Sequence, residues 1–552
     1  MRADMQGKDD FTDYYSELLE GDYDCVDRIV INAYYPMGQT PGGFRTWWRA
    51  LDGSDERLDN THLMRMAGRF SRRVRTWAKH NCVPVINCAA GERKHEIAHE
   101  HLPSDPNFVG VFLVLVSKSK APVWQVKRFG KGGLDLKKTL QYVNHYFFHI
   151  IDPEWGHVTI KMSGHPPFGA MVILNGHEWV ERAANRRGIV IEKEDNCFTG
   201  CSDSDALDEV ADRLASDDAI GRLYDVCDRW IYSACLCFGL PLDEQEKTGF
   251  RYAYSVFQLE YSRNLRFKRG SDMDQVYQAL IERTRGSLDV KRLAKLFGSK
   301  HRPHISRRDN RPPVREKLEK PTYDLTVFKL HFGKQTLKIY DKGERTLRIE
   351  AVAHNIKDLK CGKCLSHLCE MITTLKENAI RFLNVLSSIH ISFIDNGALD
   401  GLYQSSLLGE RRVAGVDINQ PRMRNVLAAV IALAPKPGGF SVADLAAKVQ
   451  EMMGCSDSQY TTRQASYDLL KLRYKQIIER IGRSRRYVVV TTGIRSVCAL
   501  LTLREKVIKP LVAAAGRLRR GPKPKNYGAI DAHYENLMSE MHRMFATLGI
   551  AA

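Results

Sequence analysis

The chain has 552 residues, 43% hydrophobic and 27% charged, a balance that excludes wholesale disorder and allows three or four domains with sizeable cores. Eighty-three Lys and Arg against 65 Asp and Glu leave a net charge of +18, so polyanions are the favoured partners and their binding should weaken with salt. The longest apolar run, Val109–Val116, falls far below the ~20 residues of a spanning helix. Residues 1–11 hold no secretory apolar segment, and the 13 cysteines are scattered and odd in number; the expected setting is the cytoplasm, away from membranes.

Residues 1–120 read as an N-terminal α/β region. Cys25–Tyr35 is a strand-like run followed by the breaker Pro41-Gly42-Gly43, Leu63–His80 carries a basic amphipathic helix, and Val83–Cys88 and Val109–Val116 are apolar runs of strand length. A layered packing around a partly parallel sheet follows from such alternation. His95-Glu96-Ile97-Ala98-His99 has the spacing of a zinc-protease helix, but its charged neighbours and the stop at Pro103 favour a solvated helix.

Residues 121–298 read as mixed α/β. Trp124–Phe129 and His157–Met162 alternate as strands, Ala170–Leu174 runs into the turn signal Asn175-Gly176, Glu178–Arg187 and Asp217–Phe238 have helical spacing, and Met273–Leu296 suggests two short helices. His145 and His149 lie among Tyr142, Tyr146, Phe147 and Phe148, which suits core positions better than a metal site with Asp152 and Glu154. Between Arg251 and Arg269 aromatic residues interleave with cations, Arg263 and Arg266 among them. That pattern suits a single-stranded nucleic acid, with bases stacked on rings and phosphates held by guanidinium groups; rings packed into a core is the alternative reading.

Residues 299–321 form a basic linker, with eight Lys/Arg and two His over Ser299–Lys320. Residues 322–420 read as a β-hairpin plus a helix over Leu365–Leu386. Side chains alternate across a strand, so matching the apolar positions Leu337 and Ile339 to Leu347, Ile349 and Ala351 puts Lys338, Tyr340, Arg348 and Glu350 on one polar surface. Such a set fits phosphodiester chemistry: Tyr340 as nucleophile or stacking group, Glu350 as ligand to a divalent metal such as Mg²⁺, Lys338 and Arg348 as counter-charges to the phosphate. Cross-strand ion pairing on an exposed face is the bland alternative. Cys361 and Cys364, with His367 and Cys369, have part of a zinc-ligand spacing but lack a second cysteine pair. No Gly-Lys-Ser/Thr phosphate loop indicates ATP use.

Residues 421–515 have the order of a winged helix. A helix over Arg422–Leu433 stops at Pro435 and Pro437, Ser441 caps a second helix, and Thr461/Thr462 cap a third that buries Ala465, Leu469 and Leu472. Arg463, Gln464, Ser466, Tyr467 and Lys471 are expected on its outward side. A hairpin follows whose tip, Gly482–Arg486, is almost all arginine: Arg483, Arg485 and Arg486. One helix in a major groove with such a wing on phosphate is the docking this order allows. Thirteen Lys/Arg against the single acid Glu505 between Arg480 and Lys525 agree with it. Residues 516–552 are a basic tail and a last helix.

The string Lys338-Ile339-Tyr340-Asp341-Lys342, then Leu347-Arg348-Ile349-Glu350, resembles the hairpin of rolling-circle replication initiators over about twenty residues. More broadly the chain is similar to an uncharacterised group of bacterial mobile-element-like proteins that share Asp152-Pro153-Glu154-x-Gly156, Asn175-Gly176-x-Glu178-Trp179, Asp195-Asn196-Cys197-Phe198 and Tyr340-Asp341-Lys342, and end in a winged helix. Where that group tends to carry an aspartate, this chain has Asn264. The resemblances imply DNA, duplex or single-stranded, as partner and metal-dependent strand nicking as the activity. A non-catalytic transcriptional regulator and an RNA-binding component of a ribonucleoprotein are the alternatives. The expected fold is α+β and multidomain: N-terminal α/β body, central β-rich domain with the hairpin, C-terminal winged helix.

Overall fold

Strand-forming residues dominate 19–34, 110–152 and 253–267, and in the computed structural model they become the spine of one large mixed sheet. The structure describes residues 9–89, 91–129, 133–287, 294–297, 324–342, 345–390, 402–408, 411–454, 459–504 and 528–547. The expected linker at 299–321, and residues 505–527 of the basic C-terminal stretch, lie outside them. The chain is mixed α/β and divides into two units: Tyr14–Tyr277 with Arg292–Ile380, and Met1–Asp13 with Gln278–Lys291 and Arg381–Ala552. No helix among the described residues is long and apolar enough to cross a membrane.

The first unit holds strands β1 (Leu19–Tyr34), β2 (Val85–Asn87), β3 (Gly110–Phe129), β4 (Gly133–Asp152), β5 (Gly156–Ser163), β6 (Ala170–Asn175), β7 (Ile191–Glu194), β8 (Cys197–Cys201), β9 (Ala253–Phe267), β10 (Ala294–Phe297), β11 (Asp324–Phe332), β12 (Gln335–Lys342) and β13 (Thr346–Ala353). The sheet runs β10-β11-β12-β13-β9-β1-β6-β5-β4-β3-β2, and β7–β8 form a separate hairpin. Only β2 and β3 pair in parallel among the described strands. The boundary expected at residue 120 falls inside β3, which fuses the runs at 109–116 and 124–129 and pairs with β4 along its length. The hairpin region drawn at 322–420 likewise extends the sheet begun by residue 19, through β13 on β9.

β9 is enclosed by β13 on one side and β1 on the other, and both faces are covered. Over 259–267, where β13 and β1 flank it, this corrects the single-strand-binding reading: Tyr261 and Phe267 are core residues, because a central strand of a covered sheet has no solvent face. The helix Asn60–His80 is capped by Asp59 and buries Leu63, Met66, Phe70 and Val74 at helical spacing, with Phe70 against Tyr146, Phe168 and Phe238. His145 and His149 share a face of β4, since an i,i+4 spacing is also even; each is buried, and burial first of all holds their imidazoles down, to about 4 and about 3. One helix, Gly270–Ser287, and strand β10 replace the two helices expected over 273–296.

Asn175-Gly176 does not turn a hairpin. Asn175 caps the helix Gly176–Asn185, and Gly176 lies so close to β1 that a Cβ would stand 1.8 Å from the Val26 carbonyl oxygen. Behind β1, Arg263 is gripped by Asp22 at 2.8 Å and Asp24 at 2.9 Å. Burial, then Asp22 and Asp24, push the carboxyl of nearby Asp208 up to about 7, against the opposing pull of Arg263.

The second unit holds a short pair, β14 (Ser406–Leu408) and β15 (Arg411–Val413), then helices Pro421–Leu433, Val442–Met453 and Thr462–Tyr474, the pair β16 (Ile478–Arg480) and β17 (Tyr487–Val489), and helices Thr491–Leu503 and Ala529–Thr547. Phe440 adds a bridge to Tyr487 of β17, with both backbone bonds made at 2.9 and 2.8 Å.

Replacing Gly176 by alanine should cost roughly 3 kcal/mol, since neither backbone can give way cheaply; urea unfolding of the variant measures it, and a loss under about 0.5 kcal/mol would contradict the contact. A carboxyl raised from its ordinary ~3.9 to about 7 keeps a proton that the unfolded chain has released, so between pH 4 and 7 its contribution to stability falls as pH rises. Asp208→Asn should therefore melt above the parent at pH 8 and close to it at pH 4, as read by calorimetry across that range.

Candidate functional site

Two loci gather the residues singled out by the sequence. The first is the third helix of the C-terminal unit with the loop between β16 and β17. Thr461 accepts from the Gln464 backbone while the Gln464 side chain accepts from the Thr461 N–H at 2.7 Å, so both ends of a capping box are made. The apolar positions Ala465, Leu469 and Leu472 are buried, and Thr462, Arg463, Ser466, Tyr467 and Arg473 are exposed. Gln464 is thus committed to the cap. Lys471, expected outward, is buried: it lies 3.8 Å from Asp468 and 4.9 Å from the centre of the Tyr467 ring. It follows Asp468 by three positions, which places it on the same inward side of the helix.

Asp468 is fully buried, and no sequence reading singled it out. Arg422 of the first helix donates to it at 3.0 Å, and so does the Tyr460 hydroxyl. A carboxylate one turn from Ala465 and Leu472, on the buried stripe, was the available signal.

The loop tip splits its arginines by task. Arg480 holds the loop from below, donating to the carbonyls of Ser484 and Arg483. Arg486 donates to the carbonyls of Gly438 at 3.1 Å and Gly439 at 3.2 Å, so it anchors the loop rather than extending from it. Arg483 and Arg485 are exposed at the tip.

The second locus is the polar face of β12 and β13. The register is the one the apolar matching requires: Lys338 opposite Glu350, Tyr340 opposite Arg348. The four residues come together, yet the face is not open. Arg348 has no solvent exposure and Glu350 is 4% exposed. Arg348 Nε donates to Asn264 Oδ1 at 2.6 Å, its Nη2 donates to the Asn196 carbonyl, and its Nη1 stands 3.6 Å from Asp27 Oδ2. His177 Nδ1 lies 2.7 Å from Asp27 Oδ1 and its Nε2 faces Arg348 Nη2 at 3.5 Å. Burial holds the His177 imidazole below its ordinary value, which leaves the ring neutral beside the guanidinium. Asn264 supplies a neutral acceptor where an aspartate would set a second carboxylate beside Asp27.

Glu350 is shared. One oxygen accepts from Lys338 and the other from the Tyr340 hydroxyl at 2.5 Å. Burial opposes the charge on Glu350, and Lys338 and Arg348 together outweigh it, holding the carboxyl below its usual range. Burial and then the Glu350 charge push the Tyr340 phenol well above its own. A phenol so raised is a weak nucleophile unless Glu350 takes its proton, and the Lys338 ammonium beside Glu350 favours the carboxylate over its protonated form. The metal role expected of Glu350 finds both oxygens engaged, and no group of three or more His, Cys, Asp or Glu that could hold an ion occurs among the described residues.

The other expected contacts are placed elsewhere. Arg263 and Arg266 are 7% and 5% exposed, bound to Asp22, Asp24 and the Ser204 hydroxyl, and so cannot reach a strand of nucleic acid. His95 and His99 lie on the short helix Lys94–Glu100, with the intervening Glu96 paired to Arg93 at 2.5 Å. Cys361 is bonded to Leu359 and Thr374, and Cys369 to Asp217. Asp27, His177 and Asn196 were missed as partners of Arg348; the signal for Asp27 was a carboxylate between Val26 and Ile29 in an otherwise apolar run. No protein-family profile, curated protein or solved structure matches the chain.

Truncating Arg348 to alanine leaves Asp27 buried without its counter-charge, and about 3–5 kcal/mol of stability should go with it. Equilibrium denaturation reads the loss; a cost below about 1 kcal/mol would mean that Asp27 is neutralised another way. Asp468→Ala should unsettle the C-terminal unit by about 1–3 kcal/mol, because Arg422 and Tyr460 lose their common acceptor. Proteolysis mapped to residues 421–503 would register it.

Proposed function

We propose that the chain is a nucleic-acid-binding protein of mobile-element or replication-initiator type that docks on duplex DNA through a C-terminal winged helix over residues 421–490. The carrying observation is the pairing of an exposed stripe, Arg463, Ser466, Tyr467 and Arg473, with a neighbouring loop whose tip presents Arg483 and Arg485. The bridge from Phe440 to Tyr487 supplies the third, short strand that a wing of this kind leans on. In this reading the helix contacts base edges in the major groove and the loop grips phosphate, with Gln464, Lys471 and Arg486 setting the shape of the surface rather than touching DNA.

The enclosure of Arg348 and the engagement of Tyr340 and Glu350 favour a binding protein over a nicking enzyme. The hairpin then contributes an internal ion-pair network to the fold, and the activity resides in where the protein sits on DNA.

Removing the phosphate contacts should flatten the salt dependence. With Arg483 and Arg485 both changed to alanine, the slope of log K against log salt should shallow by about 2, for every duplex sequence alike. Arg463→Ala with Tyr467→Ala should instead alter which sequences are preferred. Unchanged retention of the loop variant across a sodium chloride gradient would reject the interface, and co-purifying RNA in place of DNA would redirect it. For the hairpin, we expect no relaxation of supercoiled DNA in Mg²⁺; a covalent adduct lost in Tyr340→Phe would restore the nicking assignment.

A further inference from the structure

At the opening end of the β1–β9 pair lies a cavity of about 490 Å³, far from the polar face of β13 in the register of the sheet. Its floor is the start of β9, where Ser255 is bridged to Cys364 and the Val256 N–H donates to the Lys363 carbonyl. One wall is the helix Asp217–Ala234, which contributes Tyr224, Asp228 and Tyr232. Tyr34 closes the cavity from the end of β1, and Arg251 and Lys363 stand exposed at the mouth. A volume of this size accommodates a small aromatic ligand.

The lining is aromatic and ordered. Tyr254 donates to Asp228 Oδ1 at 2.6 Å, and the Tyr232 hydroxyl accepts from the Tyr252 N–H at 2.9 Å, so the wall is held by bonds that use its hydroxyls and leave ring surface. The Arg251 guanidinium is held 5.7 Å above the Tyr232 ring and is tied by one nitrogen to the Phe250 carbonyl. It is therefore oriented before any ligand arrives. Tyr34 is 37% exposed and Tyr224 half-buried, and both offer ring edges or faces to an incoming planar group. The two cations at the mouth add a preference for negative charge next to that planar group, and Asp228, itself exposed, adds an acceptor suited to an exocyclic amine.

We propose that this cavity binds an unpaired nucleobase with its adjoining phosphate: the base between the tyrosine rings, the phosphate on Arg251 and Lys363. Rings and guanidinium groups in alternation are how single strands are held without regard to sequence. The proposal deepens the nucleic-acid reading, since it gives the first unit a strand-holding site, but it stands on different residues from the duplex surface. The same chemistry is presented by a free nucleotide and by a base within a strand.

The test uses the full chain and fluorescence anisotropy with a labelled oligothymidylate, a duplex of the same length, and thymidine monophosphate as competitor. Arg251→Ala with Lys363→Ala, both at exposed positions, should weaken the single strand about tenfold and leave the duplex unchanged. Tyr34→Ala should do the same by removing ring surface. The circular-dichroism spectrum and thermal melt of each variant report that the first unit has folded. Cys364, exposed at the rim with its thiol drawn below the ordinary value by the Ser366 hydroxyl, supplies an internal probe: the single strand should slow its alkylation, read by peptide mass, and the duplex should not.

Competition by the monophosphate assigns the site to free nucleotides, and its failure beside tight oligonucleotide binding assigns it to strands; either supports the cavity. Single-strand affinity equal to the parent in both variants, or no single-strand binding at all, overturns it. The Arg483→Ala/Arg485→Ala chain separates the two readings. It should lose duplex and keep the single strand, and loss of duplex binding in every form of the protein would sink the winged-helix reading while leaving the cavity standing.

Discussion

A guanidinium group with no solvent exposure sits at the meeting point of the first unit. Arg348 from β13 reaches Asn264 on β9, Asp27 on β1, the carbonyl of Asn196 between β7 and β8, and His177 at the head of a helix. Enclosing a charge costs several kcal/mol unless each of its donors is met, so these segments, separated by up to 321 positions in the chain (27 to 348), must all be set before the burial is tolerable. The strings that carried the resemblance to mobile-element-like proteins lie around this point. Gly176 lets the helix touch β1, Asn196 accepts from Arg348, Cys197 reaches the Lys342 carbonyl, and Glu154 with Trp179 braces the turn after β4. Motifs that look catalytic in one dimension serve here to bring a charge inside.

Arginine performs two opposite tasks in this chain, and position decides which. Arg263, Arg266 and Arg348 are buried on central strands, bound to aspartates, to the Ser204 hydroxyl and to Asn264 respectively. Arg463, Arg483 and Arg485 are exposed around one helix and one loop. The net positive charge is a property of the whole composition, but of these six arginines solvent reaches the second group and not the first. Arg486 shows how fine the division is: a neighbour of Arg485 at the same tip, it is spent on two glycine carbonyls.

The C-terminal unit repeats the theme with the sign reversed. Asp468 is the buried charge, and Arg422, Tyr460 and Lys471 surround it from the first helix, the preceding loop and the same helix. Through Arg422 the buried carboxylate ties the first helix to the third. The outward stripe on the third helix is presented at one orientation as a result.

What the chain declared in one dimension was whatever depends on period and local chemistry. The helix caps at Ser441 and Thr461, the buried spacing of Ala465, Leu469 and Leu472, and the shared face of Lys338, Tyr340, Arg348 and Glu350 follow from side-chain alternation and from helix-end hydrogen bonding, both local rules. What period cannot say is which face ends up covered. Alternation showed that Lys338, Tyr340, Arg348 and Glu350 share a side, but the hairpin β7–β8 and the helix at Gly176 close over that side from segments more than 130 residues earlier. β9 reads as an aromatic, basic surface until β1 and β13 flank it. The tyrosine-lined cavity draws on β1, a helix, β9 and the loop at Lys363, and no window of sequence contains them together. Burial is a property of neighbours brought together by folding, so the tertiary structure alone decided which charges are tools and which are struts.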